Sequence, residues 1–266
     1  MTDTAGARNG AVRMAELTRV EYERRLPDAV ILLPVGSTEQ HGPHLPLGTD
    51  AIQVEEIAVR VAERVGGLVA PTLPYGYRSG ARTGGGEIFL GTTSLSAEAL
   101  IYSVRDILVA LMRHGSRRIV VLDGHYENSM FLEEAIHLAL AAGEPKATVL
   151  KLLWADAIPG DVLDQAYPQG FPGWALEHAA HLETSTIGFL RPPLLDQSAI
   201  RPFEGEPFPP YDIYPQPEGF VPTTGVLSDP SRASPESGRT LIDGTVDGLV
   251  EIINQRFGSA GNRRNS

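Results

Sequence analysis

The sequence of 266 residues contains no cysteine, and this absence removes two kinds of chemistry. The chain can form no disulfide bond and offers no thiolate, so any metal ion has to be held by nitrogen and oxygen atoms. Long apolar runs are also missing, because none approaches the roughly 20 residues that a membrane-spanning helix needs. The N-terminus is polar and contains glycine, which is not the pattern of a signal peptide. These absences predict a cytoplasmic protein without a membrane partner.

Positive charge is scarce relative to negative charge. The chain has 22 Lys and Arg against 33 Asp and Glu, which gives a formal net charge of −11. An acidic chain repels phosphate backbones and no basic stripe offsets this repulsion, which argues against a nucleic-acid partner. We find no internal repeat, and 266 residues suit one α/β domain with a full core. We therefore expect residues 1–266 to form a single domain, with loose tails at 1–13 and 258–266.

The first candidate site is a polar loop, residues 36–50, which follows an apolar run that predicts a buried strand. Open α/β sheets hold their ligands where strands end. The loop carries Glu39, His41 and Asp50, which are residue types that coordinate divalent cations. Side chains two apart on an extended chain point the same way, as Glu39 and His41 would. The alternative is a polar connection in which Thr49 or Asp50 caps the next helix.

A second polar loop follows another apolar run and supplies His125 and Glu127. Two strand ends would then deliver five ligands in all: Glu39, His41, Asp50, His125 and Glu127. Five nitrogen and oxygen ligands suit two metal ions that share a carboxylate. Two-metal hydrolases use such a pair to generate hydroxide and to polarise the scissile carbonyl.

Hydrophobic periodicity and turn residues predict alternating strands and helices. The predicted strands span residues 29–35, 68–73, 118–123 and 146–154. The predicted helices span residues 17–26, 51–65, 96–115, 128–142 and 235–257, with a further helix beginning near Trp174. This order predicts an α/β fold with a mainly parallel central sheet and helices on both faces. Residues 75–91 form a glycine-rich loop and residues 159–173 an irregular excursion, and the proline-rich residues 191–230 are expected to wrap a surface or a partner subunit.

The helix predicted from Trp174 carries Glu177, His178, His181 and Glu183. Residues three and four apart on a helix are neighbours, so this group is a further candidate metal site. The alternative, which we favour because the two loops already supply enough ligands, is a set of structural polar contacts.

Several motifs occur in one order between residues 16 and 256. They are Leu33-Pro34-Val35-Gly36 with Glu39-Gln40-His41-Gly42, then Tyr75-Gly76-Tyr77, Gly84-Gly85-Gly86 and Gly91-Thr92-Thr93-Ser94-Leu95, followed by Gly124-His125-Tyr126-Glu127-Asn128-Ser129, Gly173-Trp174 with Glu177-His178, and Glu183-Thr184-Ser185. Through these motifs the chain resembles the creatininase (creatinine amidohydrolase) family over almost its whole length.

The resemblance implies two divalent metal ions, zinc or manganese with magnesium also acceptable. One ion would be held by Glu39, Asp50 and His125 and the other by His41, Asp50 and Glu127, so that Asp50 bridges them. It also implies His178 and Glu127 as catalytic residues, with His178 protonating the leaving nitrogen, a role that suits a side chain whose usual pKa is near 6.5.

The resemblance further implies that a small cyclic amide, creatinine, is opened reversibly to creatine by a homohexameric enzyme. The substrate contacts it implies are Thr83, Gly124, Tyr126, Trp154, Trp174 and Glu177. One departure concerns the substrate, because Ala175 stands where the family usually has an aspartate. An alternative is therefore a related hydrolase that acts on another C–N bond, such as a formamide, a biosynthetic intermediate or a peptide end. A non-catalytic metal-binding or ligand-binding protein is the other alternative, and it would leave His178 idle.

Overall fold

The computed structural model describes residues 11–142, 147–203, 205 and 207–259. These residues contain a four-stranded parallel sheet in the order β2-β1-β3-β4. The strands are β1 (Ile31–Val35), β2 (Leu68–Val69), β3 (Arg118–Asp123) and β4 (Thr148–Leu153). Val35 at the end of β1 pairs with Asp123 at the end of β3. The polar loops that follow β1 and β3 therefore leave from the same edge of the sheet.

Strand β1 is buried on both faces, as a central parallel strand requires. Because successive side chains alternate, Ile31 and Leu33 pack into the core on one face of the sheet while Leu32 packs into the core on the other. This explains why the first strand is a continuous apolar run.

Seven α-helices lie within the described residues: α1 (Arg19–Arg25), α2 (Thr49–Val65), α3 (Ala97–His114), α4 (Ser129–Ala141), α5 (Gly160–Ala166), α6 (His181–Leu190) and α7 (Pro235–Phe257). Leu100 of α3 and Leu132 of α4 pack on the face of Ile31, whereas Ile57 of α2 and Leu249 of α7 pack on the opposite face. The predicted α/β architecture with helices on both faces is confirmed. None of the helices in the described part of the chain is long and apolar enough to cross a membrane.

Helix ends agree with the local sequence signals. The Ser96 hydroxyl accepts a hydrogen bond from the Ala99 N–H, as an N-cap does. Gly66 and Gly115 end α2 and α3 in the left-handed conformation that favours glycine.

Three strands are shorter than predicted, and β1 begins only at Ile31. Strand β2 stops at Val69, because Pro71 has no N–H to continue the ladder, and pairing resumes only at Leu73 beside Val35. Strand β4 stops at Leu153, and Trp154 begins a 3-10 turn, Trp154–Ala157. The predicted start of β4 at residue 146 lies outside the described residues.

The helix predicted from Trp174 is wrong at its start. Trp174–Leu176 is a single 3-10 turn, and α6 begins only at His181. Glu177 and His178 lie in the connecting turn, in which Ala179 has a φ of 53° and so interrupts any helix. Glu177 and His181 therefore do not share a helix face.

Other segments also differ from expectation. The excursion over residues 159–173 contains α5, which packs on α7. Within the N-terminal tail predicted for residues 1–13, Val12 is buried and Arg13 pairs with Glu55, while residues 1–10 lie outside the described part. In the C-terminal tail, residues 260–266 lie outside it as well. The described residues of 191–230 contain no strand or α-helix, only the 3-10 turns Pro192–Leu194 and Gln197–Ala199.

Candidate active site

The loop after β1 turns sharply to bring its polar residues to the sheet edge. At Gly36 a Cβ would lie 2.5 Å from the Cα of Ala51, so only glycine lets the start of α2 approach β1 this closely. Gly48 is the N-cap of α2, and neither Thr49 nor Asp50 caps the helix with its side chain. The capping alternative is therefore not realised, and the Asp50 carboxylate faces the site instead.

Asp50 lies between two histidines. Its Oδ1 is 3.1 Å from His41 Nε2, and its Oδ2 is 3.2 Å from His125 Nδ1. Glu39 Oε1 is 3.3 Å from the same His125 nitrogen and 3.9 Å from His41 Nε2. All four side chains are at most 3% exposed. The fold thus brings together four of the five metal ligands expected from the sequence.

Ligand atoms of this cluster form overlapping groups that suit metal ions. Glu39, Asp50 and His125 make one such group, and His41, Asp50 and Glu183 make another. Three buried atoms, Glu39 Oε2, His41 Nε2 and Asp50 Oδ2, form no hydrogen bond with any of the residues that the structure describes. Buried polar atoms without partners are costly, and divalent cations would satisfy them. The residues present therefore fit a pair of metal ions held by nitrogen and oxygen.

The outer nitrogen of each histidine is held by a backbone carbonyl. His41 Nδ1 donates to the Glu39 carbonyl at 3.1 Å, and His125 Nε2 donates to the Tyr77 carbonyl at 3.1 Å. These bonds leave His41 Nε2 and His125 Nδ1 facing the carboxylates. Such outer contacts fix the orientation of metal-ligating histidines.

The electrostatics of the cluster favour cation binding. Burial raises the pKa of Glu39 to about 7. Burial also opposes ionisation of Asp50, but the charges of His41 and His125 hold its pKa below its usual range. Burial opposes protonation of His41 too, yet Glu183 and Asp50 outweigh it and raise the pKa of His41 well above its usual value. In the metal-free chain the carboxylates thus hold protons on the histidines, and the same negative field attracts divalent cations.

Glu127 is not brought to the His41 side of the cluster. Its Oε2 lies 3.4 Å from His125 Nε2, while its Oε1 accepts from the Gly80 N–H at 2.7 Å and from the Thr83 hydroxyl. Glu183 takes the place beside His41, with Oε2 at 3.5 Å from Nε2. The sequence predicts only a structural contact for Glu183, since its spacing from the two loops gives no sign of this approach.

His178 lies against the cluster although it belongs to the turn before α6. Its Nδ1 is 3.5 Å from Glu39 Oε1, and its ring centroid is 4.4 Å from that of His41. Burial, together with the positive charge of His41, lowers the pKa of His178 well below its usual value. The ring is therefore neutral, and its Nε2 contacts Gln40, a residue that sequence analysis did not select.

The glycine-rich loop closes over these groups. The Gly84 carbonyl accepts from Gln40, and Arg82 pairs with Asp212 in the proline-rich segment at 2.9 Å. Together with the Thr83 contact to Glu127, these bonds join residues 80–86, which we call the lid, to the site.

The remaining residues expected to contact the substrate differ in how deeply they are buried. Trp154 is 4% exposed within the core on the α2 face, and Trp174 is partly buried with its ring 4.4 Å from that of Phe171. Tyr126 is 47% exposed. A Cβ on Gly124 would lie 2.9 Å from the Asp50 carbonyl, so glycine is needed for the two loops to meet.

Glu177, the last of these residues, is buried, and its carboxylate accepts a hydrogen bond from the Leu182 N–H at the start of α6. This hydrogen bond joins the turn that carries His178 to the first residues of α6.

The adjacent strand ends of the parallel sheet present two ligand groups that share an aspartate, and a buried histidine lies beside them. This arrangement is that of the class of two-metal hydrolases. The sequence model of the family described as "Creatininase: Creatinine amidohydrolase" matches residues 15–253. The chain belongs to the creatininase family.

The creatinine amidohydrolase of Pseudomonas putida is 42% identical over 93% of this chain and 98% of its own length. A solved structure described as "Creatininase Mn" has a TM-score of 0.90 at 42% identity, covering 93% of this chain and 99% of that one. Solved mutants of creatininase at the same identity include one complexed with creatine and one of Zn-Zn type. The mycofactocin precursor peptide peptidase of Mycobacterium tuberculosis is 32% identical over 84% of both chains.

Proposed function

We propose that this protein is a metal-dependent amidohydrolase that opens creatinine to creatine. The observation that carries the proposal is the buried cluster in which Asp50 lies between His41 and His125 beside His178. Support comes also from the creatinine amidohydrolase that is 42% identical over 93% of the chain.

Two metal ions fit the ligand groups. Glu39, Asp50 and His125 would hold one ion, and His41 and Asp50 would hold the other together with a further carboxylate. The family resemblance implies Glu127 for this last position, whereas the distance to His41 favours Glu183. Bound ions of this kind polarise a carbonyl and lower the pKa of a water molecule, and zinc, manganese and magnesium all accept such ligands.

Metal content distinguishes the two carboxylates. Glu127→Gln and Glu183→Gln keep side-chain size, and each removes one charged ligand. The variant that loses one of its metal ions under dialysis, as measured by mass spectrometry, identifies the ligand. The other variant serves as its control, since it removes the same charge from the same neighbourhood.

The residues of the chain supply positions for the proton transfers. During hydrolysis the water oxygen bonds to the carbonyl carbon, the ring C–N bond breaks, and both water protons end on nitrogen atoms of creatine. His178 Nδ1 faces the cluster, so His178 is placed to pass a proton to the leaving nitrogen, and a proton from the water replaces it. The closed lid excludes bulk water from these steps, because Thr83 and Gly84 bind groups of the site.

Recognition of the ring is proposed for side chains at the margin of the cluster. Tyr126 and Trp174 would form flat walls for a small planar ring. Gly124, which lets the two metal-binding loops meet, would lie beside the ring. Thr83 would contact the substrate when the lid opens and recloses. Trp154 and Glu177 are more deeply buried, and we assign them support of this wall and of the His178 turn.

A homohexamer in the cytoplasm is also proposed. Support comes from the proline-rich segment, residues 191–230, which has the exposed apolar side chains Tyr211, Ile213 and Tyr214. Exposed apolar side chains concentrated in one segment are typical of subunit contacts. Light scattering on the purified protein should give six times the mass of the chain, and a monomeric mass would overturn this part of the proposal.

The activity is tested by measuring creatine formation from creatinine by protein loaded with manganese or zinc. We expect turnover that a chelator abolishes and that His178→Asn lowers by at least about a hundredfold. Absence of turnover in folded protein with both ions bound would overturn creatinine as the substrate.

Ala175 favours a second candidate, a hydrolase of another C–N bond such as a peptide end, because an aspartate usual in the family is missing there. The relative that is a peptide peptidase, at 32% identity, lends this candidate further support. Creatinine turnover by the wild type and by Ala175→Asp separates the two: a creatininase should turn over creatinine in both proteins, whereas a peptidase should turn it over in neither.

A further inference from the structure

Gln40 is not one of the expected metal ligands, yet its side chain contacts three separate parts of the site. It is 6% exposed, and its amide nitrogen lies 3.0 Å from the Gly84 carbonyl, 3.0 Å from the Gly225 carbonyl and 2.7 Å from His178 Nε2. Its amide oxygen accepts from the Gly42 N–H at 2.9 Å. One side chain thus joins the lid, the proline-rich segment and the histidine beside the metal ligands.

The neighbours of Gln40 determine which way its amide points. Two carbonyl oxygens surround one end and accept hydrogen bonds only, while the Gly42 N–H at the other end only donates. Rotating the amide by half a turn would place its oxygen against both carbonyls and its NH₂ group against the Gly42 N–H. The NH₂ group therefore faces His178.

This orientation determines the tautomer of His178. The NH₂ group has two hydrogens for three neighbouring acceptors, so at least one hydrogen is shared. An N–H at His178 Nε2 would face this donor group at only 2.7 Å, so His178 Nε2 carries no proton and accepts. In a neutral imidazole the proton is then on Nδ1, which is the nitrogen that faces Glu39 Oε1 at 3.5 Å. A protonated Nδ1 has no lone pair for a metal ion. The group formed by Glu39, His41 and His178 is consequently not a third metal site, although its ligand atoms lie close together.

Two glycines are shaped to fit the Gln40 amide. A Cβ on Gly225 would lie 2.0 Å from the amide oxygen of Gln40, and a Cβ on Gly85 would lie 2.7 Å from its nitrogen. Both glycines have positive φ, 73° and 85°, which other residues rarely adopt. The glycine-rich lid and the end of the proline-rich segment therefore form a socket around this side chain.

We propose that Gln40 is a positioning residue that holds His178 with its proton on Nδ1, facing the metal cluster, and fastens the lid and Gly225 over it. His178 then acts toward the substrate as a hydrogen-bond and proton donor through Nδ1. This inference rests on the proposed function for its catalytic consequence only, because the tautomer and the lid are measured without substrate.

Two variants separate the parts of the proposal. Gln40→Met fills a similar volume without hydrogen bonds, and Gln40→Glu keeps the shape but, when ionised, has no donor for His178 and the two carbonyls. Gln53→Met is the matched control, because Gln53 is also buried and its hydrogen bonds reach Thr186 and the Glu183 backbone but neither the lid nor His178. All four proteins are compared with metal loaded.

The first readout is solid-state ¹⁵N spectra of histidine-labelled protein, with the His178 signal assigned by its loss in His178→Asn. We expect a protonated Nδ1 in the wild type and in Gln53→Met, and a mixture of tautomers in Gln40→Met. In Gln40→Glu we expect a protonated Nε2, because an ionised carboxylate in this place accepts a hydrogen bond from it. The second readout is hydrogen exchange followed by mass spectrometry. Exchange should rise in peptides covering residues 80–86 and 223–227 of the Gln40 variants and stay unchanged over β3.

Turnover is the third readout. We expect kcat for creatinine to fall by about tenfold or more in both Gln40 variants while metal content stays as in the wild type. A wild-type His178 protonated on Nε2, or Gln40 variants with wild-type exchange in the lid, would overturn the proposal. Exchange that rises equally over β3 would also overturn it, since this would show general loosening. Failure of the wild type to hydrolyse creatinine would refute the proposed substrate and leave the first two readouts to decide the role of Gln40.

Discussion

Replacing Glu177 by glutamine should change how the stability of the protein depends on pH. The Glu177 carboxyl is buried in the turn before α6, and this burial, together with the nearby charge of Glu183, raises its pKa from 4.5 to about 8. The unfolded chain leaves the same carboxyl in water, where it ionises near pH 4.5.

The size of the effect follows from the difference between the two pKa values. Between pH 4.5 and 8 the native state binds a proton at Glu177 that the unfolded state has lost, so stability falls as pH rises, by about 1.4 kcal/mol per pH unit. From pH 6 to pH 8 this group should remove on the order of 3 kcal/mol, and above pH 8 its effect stays constant. The glutamine side chain of the Glu177→Gln variant does not titrate, so the variant does not show this loss of stability.

Urea unfolding of metal-free protein between pH 5 and pH 9 measures the effect. The stability of Glu177→Gln relative to the wild type should rise steadily to about pH 8 and then level off. Other titrating groups cancel in this difference, and Glu63→Gln at an exposed position of α2 is the control. Parallel pH profiles for the wild type and Glu177→Gln would refute the reasoning, because they would show that the Glu177 carboxyl ionises in the native state as it does in water.

Three further substitutions test the site and its support. Asp50→Asn should lose both metal ions, because it removes the charge that the two ligand groups share, and undiminished metal content by mass spectrometry would contradict this. Arg82→Ala breaks the ion pair with Asp212 and should speed hydrogen exchange in the lid and raise KM about threefold, whereas unchanged exchange would show that the pair does not hold the lid. Gly238→Ala places a Cβ 1.9 Å from the Ser185 carbonyl where α6 and α7 meet and should cost about 3 kcal/mol in urea unfolding, so a stability equal to the wild type would show that the helices separate without strain.

The sequence by itself determined the features that depend on neighbouring residues. The apolar run predicts strand β1, and the capping residues predict the two ends of α3. Both signals can be read locally, because they involve only a few consecutive residues. The same holds for Glu39, His41, Asp50 and His125, since the carboxyl ends of neighbouring parallel strands lie at one edge of the sheet. Residues that directly follow such strands are brought together by the topology alone.

Tertiary structure alone decided the groups that complete this cluster. Glu183 reaches His41 and Gln40 reaches His178 across more than 130 residues of sequence, and no local pattern encodes these approaches. The prediction of a helix before α6 is wrong, because Ala179 has a φ of 53° there, which no local spacing in the sequence signals. Local sequence sets which residues end the strands, whereas the lid and the proline-rich segment are positioned by contacts that form only once the chain is folded.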